Sequence, residues 1–394
     1  MTPSAGVTIH SLGCRLNIAE SERIRALLAG ERDVVVINSC AVTAEAVRQT
    51  RQTIRRARRA HPDARLLVTG CAAEVEREQL SAMPEVDGLV ANASKLDPRA
   101  WNVAPSRELA PSGHTRAFVA VQNGCDHACT FCVIPQGRGA SRSLSVPQVL
   151  REVGRHLEQG APEIVLTGVD VTSWGHELAD RPPLGRLVRA VLDAFPQLSR
   201  LRMSSLDGVE IDAELFELLA DEPRVMPHLH LSLQHGHDLI LKRMKRRHSR
   251  ADAIALLERL RDRRPDLATG ADLIAGFPTE DEAMHQANRS IIHELNIVHG
   301  HIFPYSPRPG TPAARMPQLD AATIRGRAAE LRQDVAELRG RWLAGLIGKP
   351  VAVLAERDGT GHSDTFARYA VPRGTAPGTM VTVTPTRLEE GLLQ

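Results

Sequence analysis

The sequence predicts an α/β protein in three parts: a parallel-sheet domain over residues 1–108, an incomplete (β/α)6 barrel over 109–342 and a small all-β barrel over 343–394. Three observations predict it. The first hundred residues alternate strand-like and helix-like runs, a spacing that argues for parallel strands joined by right-handed crossovers. The alternation restarts near residue 117 and continues to about 340. From Leu346 the chain changes to short strand-like runs separated by Gly, Pro and Thr.

The bulk numbers agree. A chain of 394 residues suits two or three domains, and 42% hydrophobic residues is enough for packed cores. A net charge of +2 is small for a general polyanion binder, so any nucleic-acid contact is expected to be local. Six cysteines are too few for a disulfide scaffold at this length, and their grouping points to metal instead. Residues 1–6 lack a basic region followed by an apolar run, and no window holds the ~18 apolar residues of a membrane span. A reduced, cytoplasmic setting without membrane contact is the expectation.

In the first part, strands are predicted at 7–12, 33–38 and 65–69, with helices at 17–29, 43–60 and 72–81. A cysteine stands just past each strand: Cys14, Cys40 and Cys71. The C-terminal ends of parallel strands share one edge, where ligands bind, so these distant thiols should converge. Three small core residues is the plain alternative. The second helix carries Arg48, Arg51, Arg55, Arg58 and Arg59 largely on one face, which suits a phosphate backbone or simply solvent. Residues 83–116, with Pro84, Pro98, Pro105, Pro111 and Gly113, read as a linker.

The second part opens with a strand at 117–122 that delivers Cys125, Cys129 and Cys132, spaced i, i+4, i+7. A loop of that spacing folds three thiolates around one face of a metal centre, and thiolate is the ligand that iron–sulfur clusters and zinc prefer. A [4Fe–4S] cluster on three cysteines keeps one iron open, whereas structural zinc wants a fourth ligand, for which His127 is the nearby candidate. Five more strands are expected at 163–167, 200–204, 228–233, 269–274 and 300–304, with helices such as 146–159 and 251–263 between them. Functional loops of such barrels lie at the C-terminal strand ends. Those loops hold residues 167–170, where Gly168 would let backbone approach a ligand, then 204–207, 231–236 and 271–280. The densest basic run, Lys242, Arg243, Lys245, Arg246, Arg247 and His248, fits an anionic substrate such as RNA at the barrel mouth. Prolines stiffen 303–311, and a helix at 321–344 closes the barrel.

The cysteine loop, with Phe131 just before its last cysteine, resembles the signature of radical S-adenosylmethionine (SAM) enzymes. Its continuation through residues 133–143 resembles the methylthiotransferase branch, which often has an aromatic where this chain has Gln136. Segments 12–17, 38–43 and 69–73 resemble the three ligand segments of a second cluster in that family's N-terminal domain. The resemblance spans essentially the whole chain. It implies a radical SAM barrel, a TRAM-like RNA-binding module at the C-terminus, two [4Fe–4S] clusters and SAM. Cys125, Cys129 and Cys132 would hold the cluster that chelates SAM; Cys14, Cys40 and Cys71 would hold the one that hands over sulfur. Gly168 and Asp170 would meet the SAM amino group, Ser204 and Ser205 its ribose, and Ile274 and Gly276 its adenine, with Phe131 and Gln234 bordering the same pocket. His235 stands where relatives usually have serine, either as a titrating group near substrate or as a spectator. Segments 166–173 and 226–234 look most like enzymes that replace C2–H by C2–SCH3 in threonylcarbamoyladenosine beside the tRNA anticodon. RNA contacts are expected at Arg51, Arg55, Lys242, Arg243, Lys245 and Arg246, with the anticodon stem-loop as partner and a reducing protein as electron donor. The alternatives are a methylthiotransferase for isopentenyladenosine tRNA or a ribosomal-protein aspartate, and a non-catalytic metal-holding RNA-binding protein.

Overall fold

A computed structural model describes residues 6–104 and 115–394. The start of the N-terminal segment (1–5) and, of the linker reading, Pro105, Pro111 and Gly113 lie outside the described residues.

The first unit is a four-stranded parallel sheet in the order β1-β2-β3-β4. Its elements run β1 (Val7–Ser11), α1 (Arg15–Leu27), β2 (Val34–Ser39), α2 (Ala44–Ala60), β3 (Arg65–Gly70), α3 (Cys71–Val75), α4 (Arg77–Ser81) and β4 (Gly88–Leu89). Every residue of β2 is buried, as a central parallel strand requires. Alternate β2 residues serve the two helix layers: Val35 and Ile37 pack under α2 with Val47, Ile54 and Ala57, while Val34 and Val36 pack under α1 with Ile24. Thr43 starts α2 by accepting a 3.0 Å hydrogen bond from the Ala46 N–H. The helix expected over 72–81 is broken at Glu76, whose carboxylate is drawn to Arg51 and Arg308.

The linker reading fails over 83–104. Gly88 and Leu89 pair with β3, and Trp101 is buried beneath α1 with its indole N–H on the Lys95 carbonyl at 2.8 Å. The prolines there shape the edge of a domain and do not separate two.

The barrel strands are β5 (Ala117–Ala120), β8 (Ile164–Thr167), β9 (Leu201–Met203), β10 (His228–Gln234), β11 (Ala268–Ala275) and β12 (Ile297–Pro304). Between β5 and β8 a hairpin of β6 (Gln122–Asn123) and β7 (Arg142–Ser143) frames the cysteine loop and α5 (Ile134–Arg138). The crossovers are α6 (Val146–Glu158), α7 (Leu184–Ala194), α8 (Ala213–Asp221), α9 (Asp238–Arg243), α10 (Arg250–Arg263) and α11 (Glu282–Glu294), and α12 (Ala321–Ala344) follows the last strand. Parallel ladders β5-β8-β9 and β10-β11-β12 are joined by a bridge from Leu206 to Leu231. All six expected strands are therefore present, in sequence order. The barrel is open between β5 and β12 among the described residues, and α1 lies against β5.

Strand alternation divides the barrel. Leu229, Leu231 and Leu233 face the helices with Leu257 and Leu260. His228 and His230 face inward, where His230 Nε2 and His301 Nδ1 meet Asp272 Oδ1 at 3.1 and 3.0 Å. At the N-terminal ends of the strands, fully buried Glu163 holds Arg116, Arg200 and Arg202 at 2.7–2.8 Å. Arg202 then donates to the carbonyls of Ser363 and Asp364, and Phe366 stacks on His228 at 5.2 Å. The C-terminal unit is thus keyed into the barrel floor. It is a mixed sheet, β16-β13-β14-β15-β18-β17, built from β13 (Val351–Ala355), β14 (Thr360–His362), β15 (Arg368–Ala370), β16 (Met380–Val383), β17 (Leu388–Glu389) and β18 (Leu392–Leu393). Among the described residues no helix is long and apolar enough to cross a membrane.

Candidate active site

The cysteine loop is fixed from several sides. Gly124 starts it at φ +76°, and a Cβ there would lie 1.9 Å from the Ala140 carbonyl oxygen, so only glycine fits. Cys125 N donates to Gly139 O (3.1 Å), Cys132 N to Cys129 O (3.2 Å) and Thr130 N to Met244 O (3.1 Å). The three thiols are half-buried at the barrel mouth. Cys125 Sγ lies 3.7 Å from Asp170 Oδ2, Cys129 Sγ accepts from Arg246 at 3.7 Å, and Cys132 Sγ accepts from the Ile134 amide at 3.4 Å.

The second thiol set forms where the strand ends predict it. Cys14 is exposed; Cys40 and Cys71 are buried. Beyond burial, Cys71 and Cys14 make Cys40 harder to ionise, and Cys14 does the same to Cys71. Cys71 acts in turn on Cys132, across the domain boundary. Gly137 completes that boundary: a Cβ on it would be 3.2 Å from Cys71 Cβ. The two triplets therefore face one another between the N-terminal sheet edge and the barrel mouth.

Both sets fit iron–sulfur clusters better than single ions. Burial first, then neighbouring thiols, pushes Cys40 and Cys132 up to about 11; burial and then Asp170 pushes Cys125 up to about 12. Grouped thiols held this way ionise when a multivalent metal centre takes the charge. Neither triplet brings its three sulfurs within 4.8 Å of one another. A single tetrahedral zinc with ~2.3 Å bonds would draw them closer. His127 lies with Cys125 and Asp170 in a group whose ligand atoms are within 4.8 Å of one another, and the carboxylate already engages it. Its Nε2 is 2.7 Å from Asp170 Oδ2, and that contact, with Glu210 3.8 Å away, raises it to about 10.

Beside Cys129 the barrel mouth carries polar groups on one side and an apolar cluster on the other. Ser204 Oγ and Arg246 Nε are buried without a hydrogen-bond partner among the described residues, and such groups call for a polar partner, while Asp207 Oδ1 faces His248 Nδ1 at 3.6 Å. Opposite them, Phe131 meets Phe277 edge-on at 6.4 Å, in a cluster with Ile274, Tyr305 and Met244. That wall is apolar. Gln234 adopts φ +71° at the end of β10, a strained backbone of the kind found at functional sites. Ser205 follows Ser204 in the same loop and is half-buried.

Several expected residues do other work. Gly168 is glycine because a Cβ there would lie 2.8 Å from Gln122 O; Gln122 Oε1 accepts from Val169 N and Asp170 N. Gly276 is glycine because α12 crosses it, with Ile324 2.7 Å from a Cβ. His235 is fully buried against Glu280 at 2.9 Å and is a spectator. Gln136 lies against Gly310, outside the thiol contacts. Arg246 turns inward to Asp207 (2.9 Å), Ser232 O and Cys129, away from any RNA. Arg51 is engaged by Glu76 at 2.7 Å and Arg55 faces Glu85 at 3.9 Å, so the arginine stripe is partly neutralised within its own domain. Lys242 and Lys245 are exposed; Arg243 reaches Thr279 O. Sequence reasoning gave no role to Gln122 or Arg138 and did not place Arg246 in the pocket. The signal available was only that the first two flank the cysteine loop and the third sits in the basic run.

A family model for the Radical SAM superfamily matches residues 119–288, and one described as Uncharacterized protein family UPF0004 matches residues 6–91. These define the class: a radical SAM barrel behind a second, cysteine-bearing domain. The chain is 42% identical to the Threonylcarbamoyladenosine tRNA methylthiotransferase MtaB of Rickettsia prowazekii, over 98% of this chain and 96% of that one. It is 32% identical to the tRNA-2-methylthio-N(6)-dimethylallyladenosine synthase of Paracoccus denitrificans, over 89% and 86%. The radical SAM methyltransferase TsrM of Kitasatospora setae shares the fold, with a TM-score of 0.56, 14% identity and coverage of 79% and 75%. The chain belongs to the radical SAM methylthiotransferase family, whose cofactors are SAM and [4Fe–4S] clusters.

Proposed function

We propose that this enzyme methylthiolates C2 of N6-threonylcarbamoyladenosine beside the tRNA anticodon. The observation that carries the reading is the pair of thiol triplets facing each other across the Cys71–Gly137 boundary, joined to 42% identity along the whole length of a relative with that name. Cys125, Cys129 and Cys132 hold one [4Fe–4S] cluster, and Cys14, Cys40 and Cys71 hold the other. When bound, these groups and SAM supply the radical cleavage of a C–H bond and the sulfur that replaces it.

The chain supplies position. Arg246 and Asp207 offer charge to the polar end of SAM, with Ser204 and Ser205 beside the ribose and Phe131 and Ile274 along the adenine. Asp170 fixes the protonated His127 next to Cys125, keeping that side of the mouth polar but filled. Lys242, Lys245 and Arg243 meet the stem-loop backbone, helped by the C-terminal sheet acting as a TRAM-like module over residues 343–394. Residues 1–108 and 109–342 form the two cluster domains. A reducing protein of the cytoplasm delivers the electron.

The relatives that act on dimethylallyladenosine favour a second substrate. Anaerobic assays of the reconstituted enzyme with tRNA carrying each nucleoside, read by nucleoside mass spectrometry, decide between them. The expected result is methylthio product on threonylcarbamoyladenosine tRNA and none on isopentenyladenosine tRNA. Faster reaction with the latter overturns the assignment.

A further inference from the structure

Three ionic side chains lie almost wholly out of solvent beside the N-terminal thiols. Glu20, Lys95 and Arg138 each have side chains 1% exposed. Arg138 comes from the barrel, at the end of α5, and enters the other domain. It donates to Glu20 at 2.9 and 3.1 Å and to Asn17 Oδ1 at 2.5 Å. Lys95 reaches the same carboxylate at 2.5 Å and Asn38 Oδ1 at 3.2 Å. The insertion is held in place by Asn92, which donates to Gly137 O.

The charges in this group do not cancel. Two cations share one carboxylate: burial alone would raise Glu20, but Lys95 and Arg138 bring it down, and burial pulls Lys95 down while Glu20 opposes it. An unbalanced buried charge costs several kcal/mol unless an anion lies nearby. The neighbours that can carry that anion are the thiols: Asn17, which accepts from Arg138, donates in turn to the Ser39 carbonyl beside Cys40 at 3.0 Å, and Gly137, next to Arg138, packs against Cys71. Cys40 lies in the same field. A 2+ four-iron core on three thiolates carries one net negative charge, which matches the surplus.

We propose that Arg138 is a positioning and charge-setting residue of the N-terminal thiol site: its buried guanidinium balances the metal cluster held by Cys14, Cys40 and Cys71 and raises that cluster's reduction potential. The proposal rests on the cluster reading above. It also makes the site a product of both domains, because the balancing charge belongs to the barrel. Adding an electron to the cluster adds negative charge, which a nearby cation stabilises; removing the cation makes reduction harder.

The test uses the full-length chain with Cys125, Cys129 and Cys132 all changed to Ala, loaded anaerobically with iron and sulfide, so that only the N-terminal site fills. Iron per chain and the midpoint potential from an EPR-monitored titration are compared with the same chain carrying Arg138→Gln or Arg138→Lys. About four irons are expected in each. Arg138→Gln should lower the reduced-to-oxidised ratio at fixed potential at least tenfold, about 59 mV for one electron, while Arg138→Lys stays near the parent. Loss of iron in Arg138→Gln but not in Arg138→Lys supports the same charge requirement. Four irons at the parent potential in Arg138→Gln overturns the proposal, as does Arg138→Lys behaving like Arg138→Gln. A parent chain without iron overturns the cluster reading itself, and the proposal with it.

Discussion

The two thiol triplets are built in opposite ways. Cys125, Cys129 and Cys132 come from one loop, eight residues from first to last, half-buried and backed by hydrogen bonds from several distant segments. Cys14, Cys40 and Cys71 come from three strand ends, with two of the thiols buried in the domain core and a cation supplied by the other domain. The loop triplet is locally encoded and open on one side, as a site that exchanges small molecules must be. The strand-end triplet exists only once the sheet has formed. The difference teaches that the first site can be lost residue by residue, whereas the second is a property of a whole folded unit.

The largest effects come from breaking each triplet in turn. Cys129→Ala should leave about four of about eight irons and abolish 5′-deoxyadenosine formation from SAM. Cys40→Ala should leave a similar iron count but keep 5′-deoxyadenosine formation under strong reductant, with no methylthio product. The plain alternative, in which Cys40 is only a small core residue, predicts a stability loss of ~1 kcal/mol with product retained. Both nucleosides are measured in one anaerobic assay. Product from Cys40→Ala at near wild-type yield contradicts the division of labour.

The two cysteine groups were legible in the sequence because their signals are local; the roles given to them came from the family resemblance. A cysteine after each of three strands, and three cysteines at fixed spacing, need only short stretches to be read. Strand order followed from alternation for the same reason. What could not be read depends on partners far along the chain. Arg138 and Glu20 are 118 residues apart, and Arg202 meets Ser363 from 161 residues away. Lys95 sat in a stretch of prolines that looked like a linker, and nothing local says that it is buried. Gly168 was read as a clearance for a ligand, but the space a side chain would take there is filled by Gln122. Glycine announces a close approach without naming what approaches.

A smaller effect tests the buried ion cluster of the barrel floor, which Arg15 of the N-terminal domain joins over Phe366 at 5.6 Å. Burial alone would raise Glu163, but Arg202, Arg116 and Arg200 together lower it to about 2. Its folded value lies below the unfolded value of 4.5, so its stabilisation is complete above about pH 4.5 and is lost as pH falls toward 2. Glu163→Gln leaves three guanidinium groups around a neutral amide and should cost about 3–5 kcal/mol. Thermal unfolding at pH 7 should show it, and the variant's stability should lose the wild-type dependence on pH between 4.5 and 2. An unchanged melting temperature would mean that the three arginines find other partners in the C-terminal unit.

The smallest effect separates two faces of one basic stretch. Lys242 and Lys245 face solvent, while Arg246, one residue on, is turned to Asp207 and Cys129. A sequence count treats all of them as RNA contacts; the structure gives the first two to the outside and the last to the pocket. If each lysine neutralises one phosphate, changing both to Gln should flatten the plot of log binding constant against log salt, by about 0.7–0.9 for each phosphate left without its lysine. Affinity should fall across different stem-loops alike, because phosphate contacts carry no sequence information. SAM binding should be untouched. Arg246→Gln should do the reverse, weakening SAM binding with the salt slope for tRNA retained. A shallower slope in Arg246→Gln, or an unchanged slope in the double lysine variant, would return the basic run to a single undivided patch and remove the reason for placing Arg246 at the cofactor.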